Sequence, residues 1–575
     1  MIWTHAAKRV NGFSSLSAVV TTIDTIAELN QLDPRYKRLL APELDTLGIL
    51  DRICPVLFED GRTGVFVVRG NAYDDQVMAV LELLKRRRFR LQSNPVYSVA
   101  RPVLLGLIKP LQLNDERAVV TALQAAESRP ALIKIFDEIV FWALETGASD
   151  IHFNIKTPEA NSQVKFTVDG SYVVCDKFAH YPTSFMLEML SLAWMEIKGG
   201  NGAVFDPTVE QQGRLERKCN GLRFTLRWAS LATDNGPSVC LRLLKSEGMS
   251  VGPSLADLGY LPSQVDAFER VSLIEGGAIV LSGTVGSGKS TTIASLMRNI
   301  PDNRKVITIE DPVEFIIPNA LQNTLSRALN GSDMHVFDAK LATIKRSAMN
   351  DLLIGEIRDT AGGRAFMDLA ASGANLYTTV HARSCLLICE RLSSSLIGVN
   401  RDFLASPGVL KLLVHQMLLP ALCCSCSYGF HDVKPGECWS CVKGRPRTYT
   451  WFAKWAEAIA STYQLDLERL RFRYAPGCKL CHKQNIHELA GIAGRTVIAE
   501  LIEPAREPEF LDNLNECNRA RLRHWHEQRP RSTWTSEDMN GKSIFDCAIY
   551  KVSVGELDPR FVEAKFGLIN PSLQD

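Results

Sequence analysis

The sequence predicts an α/β protein of several domains, of which the largest is a parallel sheet covered by helices. Its 575 residues exceed what one hydrophobic core usually organises, so two to four domains are expected. Strand and helix signals alternate from about residue 255 onward, a pattern typical of parallel sheets. A glycine-rich segment, 283–290, joins one of these strands to a helix. These three observations define the predicted fold class.

The pattern divides the chain into four segments. Residues 1–125 mix short strand and helix signals, and we interpret them as a small N-terminal docking domain. Residues 130–245 predict an α+β middle domain, because apolar residues at helical spacing are followed by strand-like runs. Residues 255–503 carry the alternating pattern and include a cysteine-rich region at about 420–485. Residues 504–575 form a polar C-terminal tail rich in Arg and Trp.

Composition narrows the class of protein. A formal net charge of +1 does not give the strong positive field of most nucleic-acid-binding chains, so no direct nucleic-acid partner is expected. We see no signal peptide and no run of about 18 uncharged apolar residues, so we expect a soluble, cytoplasmic protein. Cysteines stay reduced there, and clustered pairs among the 15 are read first as metal ligands.

The main motif is the segment 283–290, Gly-Thr-Val-Gly-Ser-Gly-Lys-Ser, which has the spacing of a phosphate-binding loop. Glycines let the backbone N–H groups approach phosphate oxygens, and the following helix adds its positive end. We expect Lys289 over the β- and γ-phosphates and Ser290 on Mg²⁺. A glycine-rich turn without nucleotide is the alternative. The candidate nucleotide-binding residues are Gly283, Gly286, Ser287, Gly288, Lys289, Ser290 and Thr291.

Three other apolar runs each end in an acid or a histidine: 306–309 in Glu310, 352–354 in Glu356 and 376–380 in His381. Ligands bind at the carboxyl ends of the strands in a parallel sheet, so these side chains should face the phosphate loop. Carboxylates there hold metal-bound water or polarise an attacking water. Taken singly, Glu-Asp-Pro at 310–312 is a common solvated turn, and a lone histidine at a strand end is more often structural.

Together these motifs resemble the secretion ATPases, the family of type II secretion, type IV pilus and conjugative-pilus ATPases. The resemblance covers about residues 131–503 and also includes Gly147 to His152 and Val168 to Gly170 of the middle domain. The four motifs that carry it are Gly283 to Ser290 (Walker A), Ile309 to Phe315 (Asp box), Ile354 to Asp359 (Walker B) and Thr379 to His381 (His box).

The resemblance implies a RecA-like P-loop ATPase domain after a PAS-like middle domain. It further implies a homo-oligomer, usually a hexamer, on the cytoplasmic face of the inner membrane, where it acts on a membrane platform protein. ATP lies between the two domains in such proteins, and Arg227 and Arg242 match the arginines that reach the γ-phosphate. A guanidinium offers two donors to the charge on a transferring phosphoryl group. The implied catalytic residues are Glu310, Glu314, Glu356, His381, Arg227 and Arg242.

Two departures from the family pattern concern the catalytic region. The earlier histidine of the His box is replaced by Ala374, which leaves His381 as the sensor candidate. The usual aspartate before Walker B falls at Asn350, with Asp351 beside it, and the sequence leaves open which of them matters. Slower or differently coupled hydrolysis is compatible with both changes.

The cysteines form three C-x-x-C pairs: Cys423/Cys426, Cys438/Cys441 and Cys478/Cys481. Two such pairs suffice for a structural Zn²⁺ site with four thiolates. The resemblance to assembly-type family members favours Cys423, Cys426, Cys478 and Cys481. As alternatives, the middle pair replaces the first, binds a second ion with His431 or Cys424, or all are free buried cysteines.

The sequence therefore predicts an ATP-hydrolysing motor that uses ATP and Mg²⁺, contains structural Zn²⁺, and powers pilus assembly or protein secretion. The cysteine subdomain and long N-terminal region resemble assembly motors more than retraction motors. Two alternatives remain, a DNA-translocating P-loop motor and a weakly active assembly scaffold of the same fold.

Overall fold

The computed structural model describes most of the chain and contains three sheets, one after another along the sequence. It covers residues 21–567 apart from 24–27, 30, 45, 47–48, 50–51, 70–73, 101–102, 105–115, 220–221, 246–251, 312, 326–332, 435–446, 483–485 and 517. No helix in this described part of the chain is long and apolar enough to span a bilayer.

The N-terminal domain is a five-stranded sheet in the order β1-β5-β4-β3-β2 with two short helices. The pairs β4–β5 and β1–β5 are parallel, and the others are antiparallel. Its elements are β1 (Thr21–Ile23), β2 (Tyr36–Leu39), α1 (Ala41–Leu44), β3 (Ile53–Phe58), β4 (Thr63–Val68), α2 (Asp75–Arg86) and β5 (Leu91–Val99).

The middle domain packs two helices on an antiparallel sheet of order β10-β11-β12-β6-β7-β8, with β9 paired to β7. Alternate residues of its strands point into one apolar core, as a half-buried sheet requires. Its elements are α3 (Glu116–Glu145), β6 (Ala148–Asn154), β7 (Asn161–Val168), β8 (Ser171–Val174), β9 (Tyr181–Pro182), α4 (Thr183–Trp194), β10 (Gln211–Cys219), β11 (Leu222–Leu231) and β12 (Ser238–Lys245).

The third domain has a seven-stranded sheet of order β15-β14-β16-β17-β13-β18-β19, parallel except for the last strand. Its strands are β13 (Ala278–Ser282), β14 (Val306–Glu310), β15 (Ala320–Thr324), β16 (Asp351–Ile354), β17 (Asn375–Val380), β18 (Leu410–Leu422) and β19 (Ile492–Ile502). The helices are α5 (Pro262–Ser272), α6 (Lys289–Arg298), α7 (Asp333–Lys345), α8 (Thr360–Ala370), α9 (Leu386–Leu392), α10 (Arg401–Ala405) and α11 (Tyr449–Tyr463).

This strand order brings the predicted motifs together. The strands β14, β16, β17 and β13 are consecutive neighbours, and all run in the same direction. Their carboxyl ends therefore meet along one edge of the sheet, with the strand that leads into the phosphate loop beside the strand that leads into His381. The predicted α/β fold class is confirmed.

The described residues from 504 to 567 pack against the third domain and contain four α-helices, α12 (Pro508–Asn515), α13 (Arg519–Gln528), α14 (Ile544–Ser553) and α15 (Pro559–Phe566). Apolar side chains of α14 share one core with α11 from the cysteine-rich region and with Ile498 of β19. The predicted polar tail thus supplies buried apolar surface to the third domain.

Candidate nucleotide site and cysteine cluster

The phosphate loop has the backbone shape that its glycines predict. Gly286 and Gly288 take φ angles of 76° and 85°, a left-handed conformation that favours glycine. At Gly283 a Cβ atom would lie 2.4 Å from the hydroxyl of Ser287 and 2.5 Å from the carbonyl of Gln416, so a larger residue does not fit. Helix α6 begins at Lys289, within the segment 283–290, so the positive end of the helix lies in the phosphate loop.

Lys289 lies inside the loop. Its Nζ donates to the carbonyl oxygens of Gly283 at 2.8 Å and Thr284 at 3.1 Å. Burial lowers the pKa of Lys289, while Glu356 and Glu314 act in the opposite direction. The ammonium is therefore within electrostatic range of both acids, and a bound phosphate would compete with the two carbonyls for it.

Buried polar side chains hold the phosphate loop through consecutive hydrogen bonds. The hydroxyl of Tyr260 donates to Oε1 of Gln416 at 2.7 Å, and Nε2 of Gln416 donates to the carbonyl of Ser287 at 2.8 Å. All three residues are buried. Sequence reasoning missed Tyr260 and Gln416, because neither belongs to a motif and Gln416 lies 129 residues from Ser287.

His381 connects the phosphate loop to the Walker B acid. Its Nδ1 lies 3.3 Å from the carbonyl of Gly283, and its Nε2 lies 3.3 Å from Oε1 of Glu356. Since a carbonyl oxygen only accepts, Nδ1 carries the proton in the first contact. The structure thus brings His381 and Glu356 to the loop, as predicted from the strand ends.

Glu310 lies deeper in the same crevice. Its Oε1 accepts hydrogen bonds from Thr308 at 2.6 Å and from Gln322 at 3.1 Å. Burial raises the pKa of Glu310 and outweighs these hydrogen bonds. Glu310 and Ser290 line one small cavity together with residues of α6 and of the strands β16 and β17. The loop serine and the acid therefore share one cavity.

Glu314 links the crevice to the middle domain. Nε of Arg242 donates to Oδ1 of Asp150 at 2.9 Å. Burial lowers the pKa of Arg242, but the charge of Asp150, the hydrogen bond to Asp150 and, to a smaller extent, the charge of Glu314 outweigh it and leave the pKa raised. Arg227 is the cross-strand neighbour of Arg242 and is exposed. Arg242 thus lies within electrostatic range of the crevice, and Arg227 stands beside it on the sheet.

The positions that depart from the family pattern lie at the opposite edge of the sheet. Asp351 begins β16 and is fully buried, with Oδ2 2.7 Å from Nε of Arg304 and Oδ1 2.9 Å from Nδ2 of Asn375. Asn350 accepts from the backbone N–H of Lys305 at 2.8 Å. Ala374 directly precedes β17, whereas His381 directly follows it. A strand of this length spans about 20 Å, so these positions do not contact the crevice.

The predicted zinc ligands converge. The Sγ atoms of Cys423, Cys426, Cys478 and Cys481 all lie within 4.8 Å of one another. The Cys423–Cys478 and Cys426–Cys481 pairs are 3.8 and 3.7 Å apart. Tetrahedral Zn²⁺ with Zn–S bonds of about 2.3 Å places its sulfurs about 3.8 Å apart, so the cluster fits the ion.

Backbone donors favour the thiolate form of Cys478, whereas burial raises the pKa of Cys423 and Cys426. The N–H groups of Cys478 and Gly491 donate to Sγ of Cys481 at 3.1 and 3.2 Å. Hydrogen bonds from the N–H groups of Cys481 and Leu480 lower the pKa of Cys478 to about 7. Such donors are typical of thiolates that ligate a metal.

Among the alternatives for a second ion, Cys438 and Cys441 fall outside the described residues. His431 lies 2.8 Å from Glu468, and Cys424 is exposed. Within the described residues, the four-cysteine cluster is the one group arranged to hold a metal.

The site has the features of a P-loop nucleotide-binding protein: a phosphate loop, parallel strands that end in acids, and a lysine at a helix N-terminus. The chain belongs to the type II/IV secretion system protein family, whose model matches residues 125–547. The family resemblance found in the sequence is thereby confirmed.

Three relatives show how far the similarity extends. The type II secretion system ATPase E of Vibrio cholerae is 29% identical over 52% of this chain and 56% of its own length. The protein transport protein HofB homolog of Haemophilus influenzae is 26% identical over 64% of this chain and 76% of its own. The type IV pilus assembly ATPase PilB of Thermus thermophilus is 29% identical over 56% of this chain and 34% of its own. The chain thus spans about half of the first relative and a third of the last.

Proposed function

We propose that the protein hydrolyses ATP and transmits the resulting domain movements to a pilus-assembly or secretion machine. The observation that carries the proposal is the convergence of Glu356, His381 and Lys289 on one phosphate loop. Family membership supports it, as do relatives named as secretion and pilus-assembly ATPases.

Each side chain of the crevice has a role that follows from its position. The loop N–H groups and Lys289 would hold the β- and γ-phosphates, and Ser290 with Glu356 would hold a magnesium ion and its water shell. When bound, that ion neutralises charge on the phosphoryl oxygens. Glu310 would orient the attacking water, since its carboxyl group lines the same cavity as Ser290 and burial raises its pKa.

His381 is suited to sense the state of the nucleotide. It touches both the loop carbonyl of Gly283 and the carboxylate of Glu356, so a shift in either changes its hydrogen bonds. The carboxylate of Glu314 interacts electrostatically with both Lys289 and Arg242. We infer that Arg242 and Arg227 supply cationic donors to the phosphates when the middle domain closes on the crevice.

Turnover of purified protein tests this proposal. Replacement of Glu356 by Gln removes one charge without changing shape, and we expect ATP hydrolysis to fall about a hundredfold or more while nucleotide affinity changes little. The exposed Glu269→Gln on α5 is the matched control and should keep the wild-type rate. Equal rates in wild type and Glu356→Gln would remove support for the catalytic assignment and favour a non-hydrolysing scaffold.

We propose that the four-cysteine cluster holds structural Zn²⁺, with all four positions of the ion filled by Cys423, Cys426, Cys478 and Cys481. Metal content of the purified protein checks this. Cys478→Ser should lower zinc from one ion per chain toward none, whereas Cys424→Ser, next to the cluster but outside it, should leave one ion bound. Zinc retained in Cys478→Ser would contradict the ligand set.

We propose a ring of identical subunits, a hexamer in keeping with the family, that works on an inner-membrane platform protein from the cytoplasmic face. Mass measurement with bound nucleotide tests the oligomer, and co-purification with the membrane fraction tests the location. Hydrolysis stimulated by DNA in a salt-sensitive manner would instead favour the DNA-translocating alternative.

A further inference from the structure

Arg495 is the one long cation outside the predicted site that touches the phosphate loop among the described contacts. It lies near the start of β19, directly after Gly494, whose φ of 118° only glycine adopts readily. Its Nη1 donates to the carbonyl of Gly286 at 3.4 Å. The contact joins residues 209 positions apart in the chain.

The same nitrogen of Arg495, Nη1, also lies beside the middle domain. A Cβ atom at Gly170 would lie 3.2 Å from Nη1, so the absence of a side chain at Gly170 leaves room for the arginine. Gly170 and Asp169 form the turn between β7 and β8, with φ angles of 77° and 49°. Asp169 attracts the guanidinium electrostatically. The arginine thus stands between the two domains.

We propose that Arg495 is a positioning residue that couples the phosphate loop to the Asp169–Gly170 turn, so that nucleotide binding in the loop sets the position of the middle domain within the same chain. The inference rests on the proposed ATPase function and extends it with a coupling element. A planar guanidinium has five donors, so Arg495 can donate to the carbonyl of Gly286 while its charge is attracted by Asp169.

The direction of the coupling follows from charge. Phosphates in the loop would draw Lys289 from the carbonyls of Gly283 and Thr284 and so shift the loop backbone near Gly286. The negative charge of the phosphates also attracts the guanidinium, which strengthens its hold on the loop. The turn of the middle domain follows, because Gly170 lies against the same guanidinium and Asp169 attracts it electrostatically.

Hydrogen exchange of the full-length protein tests the coupling, with and without Mg²⁺ and a non-hydrolysable ATP analogue. In wild type we expect nucleotide to slow exchange of the amides in 283–292 and, about three- to tenfold, those in 166–173. In Arg495→Ala the slowing at 283–292 should remain and the slowing at 166–173 should be lost. Arg495→Lys, which keeps the charge without the planar guanidinium, should restore part of the slowing at 166–173.

Two further variants separate coupling from general damage. Asp169→Asn keeps the backbone preference for left-handed φ and removes the charge, so it should weaken the response of the turn and change analogue affinity less than about twofold. Arg469→Ala removes an exposed arginine near the same subdomain and should behave as wild type. A wild-type turn response in Arg495→Ala would overturn the inference alone. No nucleotide response at 283–292 in wild type would overturn the proposed function and the inference with it.

Discussion

The two edges of the parallel sheet contain similar charged residues but place them in different surroundings. At the carboxyl edge, Lys289 lies near Glu356 and Glu314 in a crevice that solvent reaches. At the amino edge, Lys411 lies beside Asp351 and donates to Oδ1 of Asn375 at 2.9 Å, and these three side chains are buried. Burial lowers the pKa of Lys411 to about 8.

The comparison shows that the role of a charged side chain depends more on whether it lies at the carboxyl or the amino end of a strand than on its residue type. Groups in the crevice have donors and acceptors still accessible to a ligand, whereas the amino-edge cluster uses its hydrogen bonds within the protein. We therefore expect changes at the amino edge to alter stability and changes at the carboxyl edge to alter nucleotide chemistry.

The largest expected effect is at Asp351. Asp351→Ala leaves the buried Asn375 and Lys411 without the carboxylate they face, and it removes the ion-pair partner of the half-buried Arg304. We therefore expect the free energy of unfolding to fall by about 3–5 kcal/mol. Urea denaturation measures this. ATP hydrolysis per folded molecule should stay within about twofold of wild type, and the exposed Asp302→Ala should change neither quantity. A catalytic loss without a stability loss would reverse the roles of the two edges.

At the carboxyl edge the opposite outcome is expected. Lys289→Met removes the ammonium that the loop carbonyls hold, so nucleotide affinity should fall about thirtyfold or more, about 2 kcal/mol. Thermal stability should hardly change, because burial already disfavours the charge of Lys289. Titration with a fluorescent nucleotide and a melting curve check both points. A large drop in melting temperature with intact affinity would contradict the comparison.

The pH dependence of stability sharpens the comparison further. Lys411 has a folded-state pKa of about 8, below the 10.5 of a free lysine. Between these pH values the unfolded chain keeps the proton and the folded chain has lost it, so stability rises with pH.

The free energy of unfolding of wild type should therefore rise relative to that of Lys411→Met by up to about 3 kcal/mol as pH increases from 8 to 10.5. Urea unfolding at several pH values measures the difference. The exposed Lys454→Met should follow wild type throughout. A difference between wild type and Lys411→Met that stays constant with pH would contradict the titration of Lys411.

The smallest effect is expected for Ala374→His, which restores the family's earlier histidine. Ala374 precedes β17 at the amino edge, so we expect the rate of hydrolysis to change by less than about twofold. A steady-state assay measures it. A severalfold increase would mean that this position reaches the crevice in the working oligomer.

Much of the site was predictable because local patterns determine it. Glycines or acids directly after an apolar run lie at the carboxyl end of the predicted strand. Since parallel strands have their carboxyl ends at one edge of the sheet, Glu310, Glu356 and His381 are expected to lie together. The C-x-x-C spacing likewise predicts a metal cluster, and the family resemblance selected the four cysteines that the structure brings together.

Contacts between residues far apart in sequence were not predictable. Nothing local indicates that Arg495 reaches Gly286, or that Tyr260 and Gln416 support the loop. Residues 504–567 do carry a local helix signal in their sequence. Ser543 caps α14 through Asp546, the spacing of a capping box, and this pattern marks a helix start within the supposed tail.

The middle domain depends on residues that are synthesised late. Ile486, Leu489 and Ile492, which follow the cysteine cluster, are buried in the core of the middle domain. Roughly 240 residues separate the last strand of that domain from Ile486. At about 5–20 residues per second, the ribosome needs about 10–50 s to supply them. During that interval the nascent chain carries an open apolar groove, which gives a chaperone both a place and a time to bind.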